Sequence, residues 1–245
     1  LSQGAKPSHG GVLPAPKVTA EIARIRGIEE GKDCISPPTH STFSTPIELM
    51  QFIDQLRHLS GGKPIGFKLC IGKHEEFMAI CKAMLETGTH PDFITVDGAE
   101  GGTGAAPLEF SNRLGTPADE ALALVHNCLV GVNLRQHIRI ISSAKVATGF
   151  DVVRRIALGA DACNLARPMM FALGCIQSLR CNTNTCPTGV ATTNKRRAYA
   201  ININQKSQHV ANLHRNTIKS FRELMGAMGA SQPSELTPSM IRLRL

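Results

Sequence analysis

Short apolar runs alternate along the chain with segments in which apolar residues recur every three to four positions. Four of the runs, at 65–70, 93–97, 138–142 and 162–166, have the length and composition of buried strands, and a weaker fifth run covers 33–36. The spacing in the intervening segments is the period of an amphipathic helix. Because strands that alternate with helices are usually parallel and joined by crossover helices, the pattern predicts an α/β fold.

Capping residues mark the ends of the predicted helices. Thr45 and Glu48 have the spacing of a capping box, with Pro46 at the first helical position. Gly88 closes the next helix, and Asp151 is expected to cap a short helix further along the chain. These local signals support the helical half of the alternation.

The two ends of the chain differ from the middle. Residues 1–17 are rich in Gly, Pro and Ser and predict a loop. Residues 205–229 predict a polar amphipathic helix, and Thr237 followed by Pro238 starts another short helix. The expected buried stripe of the long helix consists of Val210, Leu213, Phe221, Leu224 and Met228.

Composition places the chain among ordinary globular proteins. It has 245 residues, enough for one large domain or two small ones, with 42% hydrophobic and 19% charged residues. No apolar run approaches the ~20 residues of a membrane span, and no signal peptide opens the chain. We therefore expect a cytoplasmic protein with no membrane span.

The net charge of +8 invites a nucleic-acid interpretation. The basic residues are scattered, however, with a single run at 195–197, and aromatic residues do not interleave with them as a single-strand binding surface requires. The charge therefore favours an acidic redox partner or anionic small substrates over nucleic acid.

Small residues follow two neighbouring strands of the predicted sheet. A glycine-rich loop, 97–105, comes directly after one strand; a tight surface turn would explain this loop alone equally well. The loop after the next strand contains Ser143 and Lys145, and the last strand leads into Arg167. Barrel enzymes of the (β/α)8 type often bind phosphate with their last two strand-end loops. The pattern therefore predicts a site for the phosphate of a flavin or a sugar.

Lys68 lies in the middle of an apolar strand. A lysine there is costly unless it is paired, so a position facing a ligand at the mouth of a barrel is one explanation. The alternative is a lysine on the solvent side of an edge strand.

Eight cysteines require an explanation in such a chain. Three of them, Cys175, Cys181 and Cys186, lie in a polar segment with Pro187 after the last, a pattern typical of iron–sulfur ligation. Zinc would need a fourth ligand, and a three-iron, four-sulfur cluster fits three cysteines better; unligated thiols are the remaining alternative. The other five lie in apolar segments and are best explained as small buried hydrophobes: Cys34, Cys70, Cys81, Cys128 and Cys163.

Several of these motifs occur together in one known order. They are Gln3-Gly-Ala-Lys-Pro-Ser-His-Gly-Gly-Val-Leu-Pro14, Ile35-Ser-Pro-Pro38, Lys68, Asp97-Gly-Ala-Glu-Gly-Gly-Thr-Gly-Ala-Ala-Pro107 and the segment from Gly174-Cys175 through Cys186-Pro-Thr-Gly-Val-Ala191. The sequence resembles the FMN-binding synthase domain of the glutamate synthase family, especially its short, single-domain relatives. The resemblance extends to about residue 230 and implies a TIM (β/α)8 barrel of the FMN-binding type.

The resemblance also implies a chemistry. An iron–sulfur cluster passes single electrons to FMN, and the reduced flavin converts 2-iminoglutarate, formed from 2-oxoglutarate and ammonia, to glutamate. The electron donor would be a ferredoxin or an NAD(P)H-oxidising flavoprotein, and a homo-oligomer is compatible with the family.

Site residues follow from the matching motifs. The catalytic and flavin-contacting lysine is Lys68, and Gly101, Gly102 and Thr103 line the substrate side. The resemblance implies that Ser143, Ala144, Lys145, Ala166 and Arg167 hold the FMN phosphate and that Cys175, Cys181 and Cys186 hold a 3Fe-4S cluster. Ala144 and Ala166 replace glycines of the family's phosphate loops, and Lys145 and Arg167 add charge where the family has small neutral residues.

The predicted strands number five where a closed barrel needs eight. Counting back from the phosphate loops, the first three strands are the missing ones. We expect a barrel portion at 1–191, with its iron–sulfur loop at 175–186, and a C-terminal helical extension at 192–245 packed on it. Two alternatives remain: an FMN and iron–sulfur oxidoreductase with a different substrate, and a truncated, inactive fragment.

Overall fold

The computed structural model describes residues 10–102 and 109–242, whose strands form two separate sheets. Two short strands, β1 (Val12–Leu13) and β2 (Cys34–Ile35), pair antiparallel. The other sheet has four strands in sequence order, all parallel: β3 (Gly66–Leu69), β4 (Phe93–Asp97), β5 (Arg139–Ser143) and β6 (Ala162–Cys163). This order joins neighbouring strands by crossover segments, as in a (β/α) barrel.

Helices connect the strands and extend past them. They are α1 (Ala20–Arg26), α2 (Pro46–Leu59), α3 (His74–Thr87), α4 (Ala118–Gly131), α5 (Gly149–Ala157), α6 (Arg167–Leu173), α7 (Lys195–Ala198) and α8 (Ile203–Ala227). Three single turns of 3-10 helix cover Ala15–Lys17, Pro233–Glu235 and Pro238–Met240. The alternation of parallel strands and helices predicted from the sequence is therefore confirmed.

One face of the parallel sheet forms the main core. Side chains alternate between the faces of a strand, so Ile94 and Val96 of β4 and Ile140 of β5 turn to the helix side, where they are fully buried. They pack with residues of α2, α3 and α4, such as Met50 and Leu122. Thr95 and Asp97 of β4 and Ser143 of β5 consequently share the opposite face, whereas Ser142 lies on the helix side and is buried.

The predicted helix ends are found with one correction. Thr45 and Glu48 form a capping box, in which the Thr45 hydroxyl accepts from Glu48 N at 3.2 Å and Glu48 accepts from Thr45 N at 3.0 Å. Gly88 ends α3 in the left-handed conformation. The prediction for α5 was wrong in position, because Thr148 is the N-cap and Asp151 is the third helical residue of a second capping box.

Two expectations about the first part of the chain were wrong. The strand near position 34 exists, but it pairs antiparallel with Val12 and Leu13 instead of joining the parallel sheet. The same pairing overturns part of the loop predicted for 1–17, where the described residues also include a 3-10 turn. Pairing partners depend on which segments meet in space, which neither local pattern records.

The long C-terminal helix packs on the helices of the sheet. Phe221 and Met225 of α8 are buried against Val153 and Ala157 of α5. Phe221 alone of the predicted stripe is fully buried; the other four residues are half-buried, and Thr217 and Met225 complete the contact. The helix predicted at Thr237 is a single 3-10 turn.

The helices bear on the expectation that the chain has no membrane span. Within residues 10–102 and 109–242, no helix combines the length and the apolar character that a membrane span needs.

Candidate functional site

The carboxyl ends of the four parallel strands bring together most of the residues singled out by sequence. Parallel strands end at the same edge of a sheet, and ligands of α/β proteins bind outside this edge. We use the name strand-end site for Lys68 and residues 97–102, 143–145 and 166–167, which lie there. Thr103, also predicted for the substrate side, lies outside the described residues.

Lys68 makes an ion pair at this edge. Its Nζ lies 2.7 Å from Oδ2 of Asp97, the last residue of β4, and the Asp97 side chain is only 6% exposed. The lysine side chain is 37% exposed and projects from the face opposite Phe67 and Leu69, which are half-buried against the core. Although β3 is an edge strand in the described sheet, Lys68 therefore does not simply point to solvent, and the carboxylate fixes its position.

The loop after β5 has an unusual backbone. Ala144 and Lys145 have positive φ angles of 91° and 47°, a region that favours glycine. Successive backbone N–H groups in turns of this kind can form a concave anion-binding surface. Lys145 is exposed, and its Nζ donates to Oδ1 of Asn112 at 3.1 Å. Alanine thus occupies a position whose conformation favours glycine.

Arg167 joins two loops of the strand-end site. It is the first residue of α6, follows Ala166 at the N-cap, and donates from Nη2 to the Gly102 carbonyl at 2.9 Å. Both Ala166 and Arg167 are exposed. The structure therefore places the predicted phosphate residues of the last loop against the end of the predicted substrate loop.

A buried arginine below these loops was missed by the sequence analysis. Arg155 of α5 is 2% exposed, pairs with Asp119 at 2.5 Å, lies 3.7 Å from Glu100 and donates to the Ala144 carbonyl at 3.3 Å. Both Glu100 carboxylate oxygens also accept from Ala118 N, at the start of α4. One side chain thus connects the glycine-rich loop, the loop after β5 and α4.

The sequence contained no signal for Arg155. The buried residues of the same helix include Val153 and Ala157, each two positions away, which puts the arginine ~200° round the helix from them. That geometry predicts a solvent-facing arginine. It is buried instead among Asp119 of α4, Glu100 and the Ala144 carbonyl, which are distant from it in the sequence.

The three clustered cysteines line a single cavity. We use the name cysteine loop for residues 174–194, between α6 and α7. The cavity, of about 100 Å³, is lined by Cys175, Cys181 and Cys186 and also by Gly102, Ala166 and Arg167. In the part of the chain that the structure describes, no three His, Cys, Asp or Glu side chains converge closely enough to hold a metal ion. The thiols are therefore neighbours of the strand-end site, without a preformed coordination sphere.

Several hydrogen bonds are directed at the thiol of Cys186. Burial opposes its ionisation, but hydrogen bonds from the Thr188 hydroxyl and from backbone N–H groups at 191, 188 and 190 outweigh burial and lower its pKa to about 7. The side chain is only 6% exposed. Backbone N–H groups directed at a sulfur stabilise the thiolate, the form that binds metal.

Asn184 organises the same loop. Its side-chain oxygen accepts from the Thr192 hydroxyl at 2.9 Å and from Thr193 N at 2.8 Å. Its side-chain nitrogen donates to the Thr193 hydroxyl at 2.8 Å and to the Pro16 carbonyl at 3.0 Å. With φ at 62°, Asn184 holds a left-handed turn between the second and third clustered cysteines.

The remaining cysteines were predicted to be buried hydrophobes, which is correct only for Cys81. Burial raises the pKa of Cys81 to about 12. The other four are half-buried, although burial also raises the pKa of Cys163 to about 11. Among the described cysteines, the second fully buried thiol is Cys186, which was assigned to the polar loop.

Solved structures identify the class of fold. The chain is similar to a flavocytochrome b2 variant determined with sulfite bound, with a TM-score of 0.50 and 15% identity over 90% of this chain and 42% of that one. Together with the parallel sheet in sequence order, this likeness defines the described residues as an α/β structure of the TIM-barrel type, with four adjacent strands.

Sequence comparisons identify the family. The conserved region of glutamate synthase matches residues 1–231, and the chain belongs to the glutamate synthase family. It is 42% identical over 233 residues to the glutamate synthase large subunit-like protein YerD of Bacillus subtilis. It is 36% identical over 245 residues to the archaeal glutamate synthase [NADPH] of Methanocaldococcus jannaschii.

The two relatives are longer than this chain. The matches cover 95% and 100% of this chain but 44% and 47% of the relatives, so the chain spans less than half of their length. The matched part includes both the strand-end site and the cysteine loop.

Proposed function

We propose that this chain provides the flavin and iron–sulfur region of a glutamate synthase-like oxidoreductase. The observation that carries the proposal is the shared cavity, because predicted flavin-phosphate residues, a predicted substrate-loop glycine and all three clustered cysteines line the same space. A cluster held there would lie beside a flavin, as electron transfer between the two requires.

The strand-end residues fit an FMN phosphate in their chemistry. Two consecutive residues with positive φ follow β5, and two cations, Lys145 and Arg167, stand at the ends of the last two strands. The phosphate would be held by these cations together with Ser143 and the backbone at Ala144 and Ala166. Lys145 and Arg167 are bound only to neutral oxygens in the described residues, so both charges remain available to an anion.

The cysteine loop fits an iron–sulfur cluster in its donor set. Three thiols line one cavity, and the pKa of Cys186 is already lowered to about 7. Hydrogen bonds to sulfur of the kind found at Cys186 also tune the reduction potential of such clusters. We assign Cys175, Cys181 and Cys186 to a 3Fe-4S cluster.

Each cofactor would supply its own chemistry when bound: the cluster one-electron transfer, and FMN delivery of a hydride to the imine carbon of 2-iminoglutarate. Lys68 positions a positive charge at the barrel mouth and is held there by Asp97. A fixed cation can stabilise negative charge that develops during the reaction without reorganisation. We assign Gly101, Gly102 and Thr103 to the substrate side.

We also propose an electron donor and a division of the chain into a barrel portion and a C-terminal extension. We assign electron supply to a ferredoxin or an NAD(P)H-oxidising flavoprotein. The barrel portion would end near 191, and the extension from 192 onward would brace it, a role supported by the packing of α8 on α5.

Anaerobic purification of the protein as it is encoded tests the cofactors. Flavin, iron and acid-labile sulfide should all be present, with flavin absorption bands above a broad iron–sulfur shoulder. A folded but colourless protein would contradict the cofactor assignment and support the inactive-fragment alternative.

Reoxidation tests the substrate. The dithionite-reduced protein should be reoxidised by 2-oxoglutarate plus ammonium, with glutamate formed, and not by 2-oxoglutarate alone. Lys68→Met should slow this step about 100-fold, whereas the exposed Lys63→Met, just before the same strand, should not. Loaded cofactors without reoxidation would favour the alternative substrate.

A further inference from the structure

The charge of this protein is concentrated in one part of the chain. Between positions 162 and 222 there are nine Lys and Arg residues and no Asp or Glu, whereas the rest of the chain has eighteen basic and nineteen acidic residues. This basic segment therefore accounts for the whole net charge of +8. Basic residues are indeed scattered along the chain, but acidic residues are excluded from the segment that contains the cysteine loop.

Several basic residues of the segment lie in the cysteine loop or directly beside it. Arg180 lies within the loop and is exposed. The first residues of α7, Lys195 and Arg196, are also exposed. Helix α7 packs directly on the loop, because a Cβ on Gly189 would come within 2.2 Å of the Arg197 carbonyl oxygen. The Arg197 guanidinium also donates to the Cys186 carbonyl at 3.4 Å.

In the part of the chain that the structure describes, Arg180, Lys195 and Arg196 make no ion pair. Within residues 10–102 and 109–242, the ion pairs of the basic segment are confined to Lys219, near the end of α8. Lys206, whose Nζ would lie 3.4 Å from a Cβ on Gly174, adds a further charge where the loop begins. The charges next to the cysteines are therefore free to attract an anionic partner.

Exposed apolar side chains lie on the same loop as Arg180. Ile176 and Leu179 line the mouth of the cysteine cavity and are 65% and 57% exposed. Leu179 also has a φ of 55°, a conformation that costs a residue with a Cβ roughly 1–2 kcal/mol. A leucine that is more than half exposed and holds a left-handed conformation suits an intermolecular contact.

We infer that the surface formed by Ile176, Leu179, Arg180, Lys195, Arg196 and Arg197 docks an acidic electron-carrier protein. The inference rests on the proposed function, since it places the donor against the cysteines that would hold the cluster. A cluster held by these cysteines would accept one electron from the reduced carrier, which would leave the carrier oxidised and the cluster reduced with no bond made or broken. Apolar contact surrounded by complementary charge suits a transient complex, which must form quickly and dissociate.

A binding measurement tests the surface directly. The probe is a small acidic [2Fe–2S] ferredoxin, titrated against the protein at low salt. Lys195→Glu with Arg196→Glu should weaken binding about tenfold or more, because two attractive charges become repulsive. Raising NaCl from about 20 mM to about 300 mM should remove most of the difference through screening. The matched control, Lys63→Glu with Lys82→Glu, changes the charge equally at exposed positions before β3 and in α3 and should leave binding unchanged.

A second readout separates docking from the cofactors. Reduction by dithionite, which needs no docking surface, should be equal in all variants, while reduction by the ferredoxin should fall only in the 195/196 variant. Absence of iron and sulfide in the unaltered protein would contradict the proposed function, whereas a loaded protein whose ferredoxin affinity is insensitive to the 195/196 reversal would overturn the docking inference alone. Tighter binding of a 20-nucleotide single strand than of ferredoxin at the same salt would also overturn it, in favour of a nucleic-acid surface.

Discussion

The strand-end site and the cysteine loop are neighbours held in place by opposite means. At the strand ends the fixed groups are ions: Lys68 pairs with Asp97, and the buried Arg155 binds Asp119 and approaches Glu100. In the cysteine loop they are neutral amides and hydroxyls organised around Asn184, with backbone N–H groups directed at Cys186.

The difference follows from what each region is proposed to bind. A site for an anionic cofactor needs cations, and each buried cation needs a carboxylate to offset its desolvation. A cluster loop supplies its own negative charge as thiolates, so carboxylates there would compete with the ligands and raise their pKa values. The absence of Asp and Glu from 162–222 matches the second requirement.

Removing a proposed cluster ligand should have the largest effect. We predict that Cys186→Ser loses essentially all iron and sulfide, because a serine oxygen is a poor substitute for a thiolate on iron. Flavin content should change little, since the strand-end site does not depend on the thiol. The measurement is the ratio of iron to protein, with Cys34→Ser, at a half-buried cysteine in β2, as the control. Equal iron in both variants would sink the assignment of Cys186.

Breaking the ionic network should have the next largest effect, and at the strand ends only. Arg155→Gln leaves Asp119 and Glu100 without their buried cation, so the free energy of unfolding should fall by about 3 kcal/mol. Because Arg155 also holds the Ala144 carbonyl, affinity for FMN should fall more than affinity for riboflavin, which lacks the phosphate.

Arg154→Gln provides the control for this comparison. Arg154 pairs with Asp119 and Asp151 but does not contact Ala144, so its FMN to riboflavin ratio should stay near that of the unaltered protein. An equal loss of both flavins in Arg155→Gln would show a general destabilisation, with no positioning of the phosphate loop.

The hydrogen bonds around Asn184 join neutral groups, so their loss should cost less than the loss of the ion pairs. The effect should be confined to the cysteine loop. We predict that Asn184→Ala removes its side-chain hydrogen bonds and places alanine at a φ of 62°, for a local cost of about 2 kcal/mol. Iron should then leave the protein to a chelator more than about tenfold faster, since each 1.4 kcal/mol is tenfold. Asn182→Ala, at an exposed position in the same loop, should release iron at the original rate.

The smallest predicted effect concerns the cap of α5 and its pH dependence. Burial raises the pKa of Asp151, but hydrogen bonds from Thr148 and Ala147, with the nearby Arg154 charge, outweigh it and lower the pKa overall. Since the folded pKa lies below the unfolded one, the stabilisation is complete above about pH 4 and is lost as pH falls through the folded value.

Asp151→Asn should therefore lower the free energy of unfolding by about 1 kcal/mol at neutral pH. The difference from the unaltered protein should shrink below about pH 4. Urea unfolding at several pH values measures it. Glu75→Gln, an exposed acid in the first turn of α3, should show little difference at any pH. A gap that widens in acid would contradict the assigned sign.

A structural feature could be predicted from the sequence when the residues that determine it lie close together in the chain. The capping box at Thr45 and Glu48 and the left-handed Gly88 were predicted because their partners lie within one turn of helix. The grouping of the three cysteines in one cavity was anticipated from spacing within a short loop. The antiparallel pairing of β1 with β2 was not, since a run of a few apolar residues carries no record of its partner.

The amino-acid order alone was enough to establish the succession of strands and helices, the family and the polar cysteine segment, because each is written in residues a few positions apart. The pairing of Lys68 with Asp97, the burial of Arg155 and the cavity shared by Arg167 and the cysteines arose only when distant segments met. Arg155 and Asp119 are 36 positions apart in the chain. Their contact depends on how α4 and α5 pack on the sheet, and hydrophobic burial, which is not directional, drives that packing without specifying the ion pair.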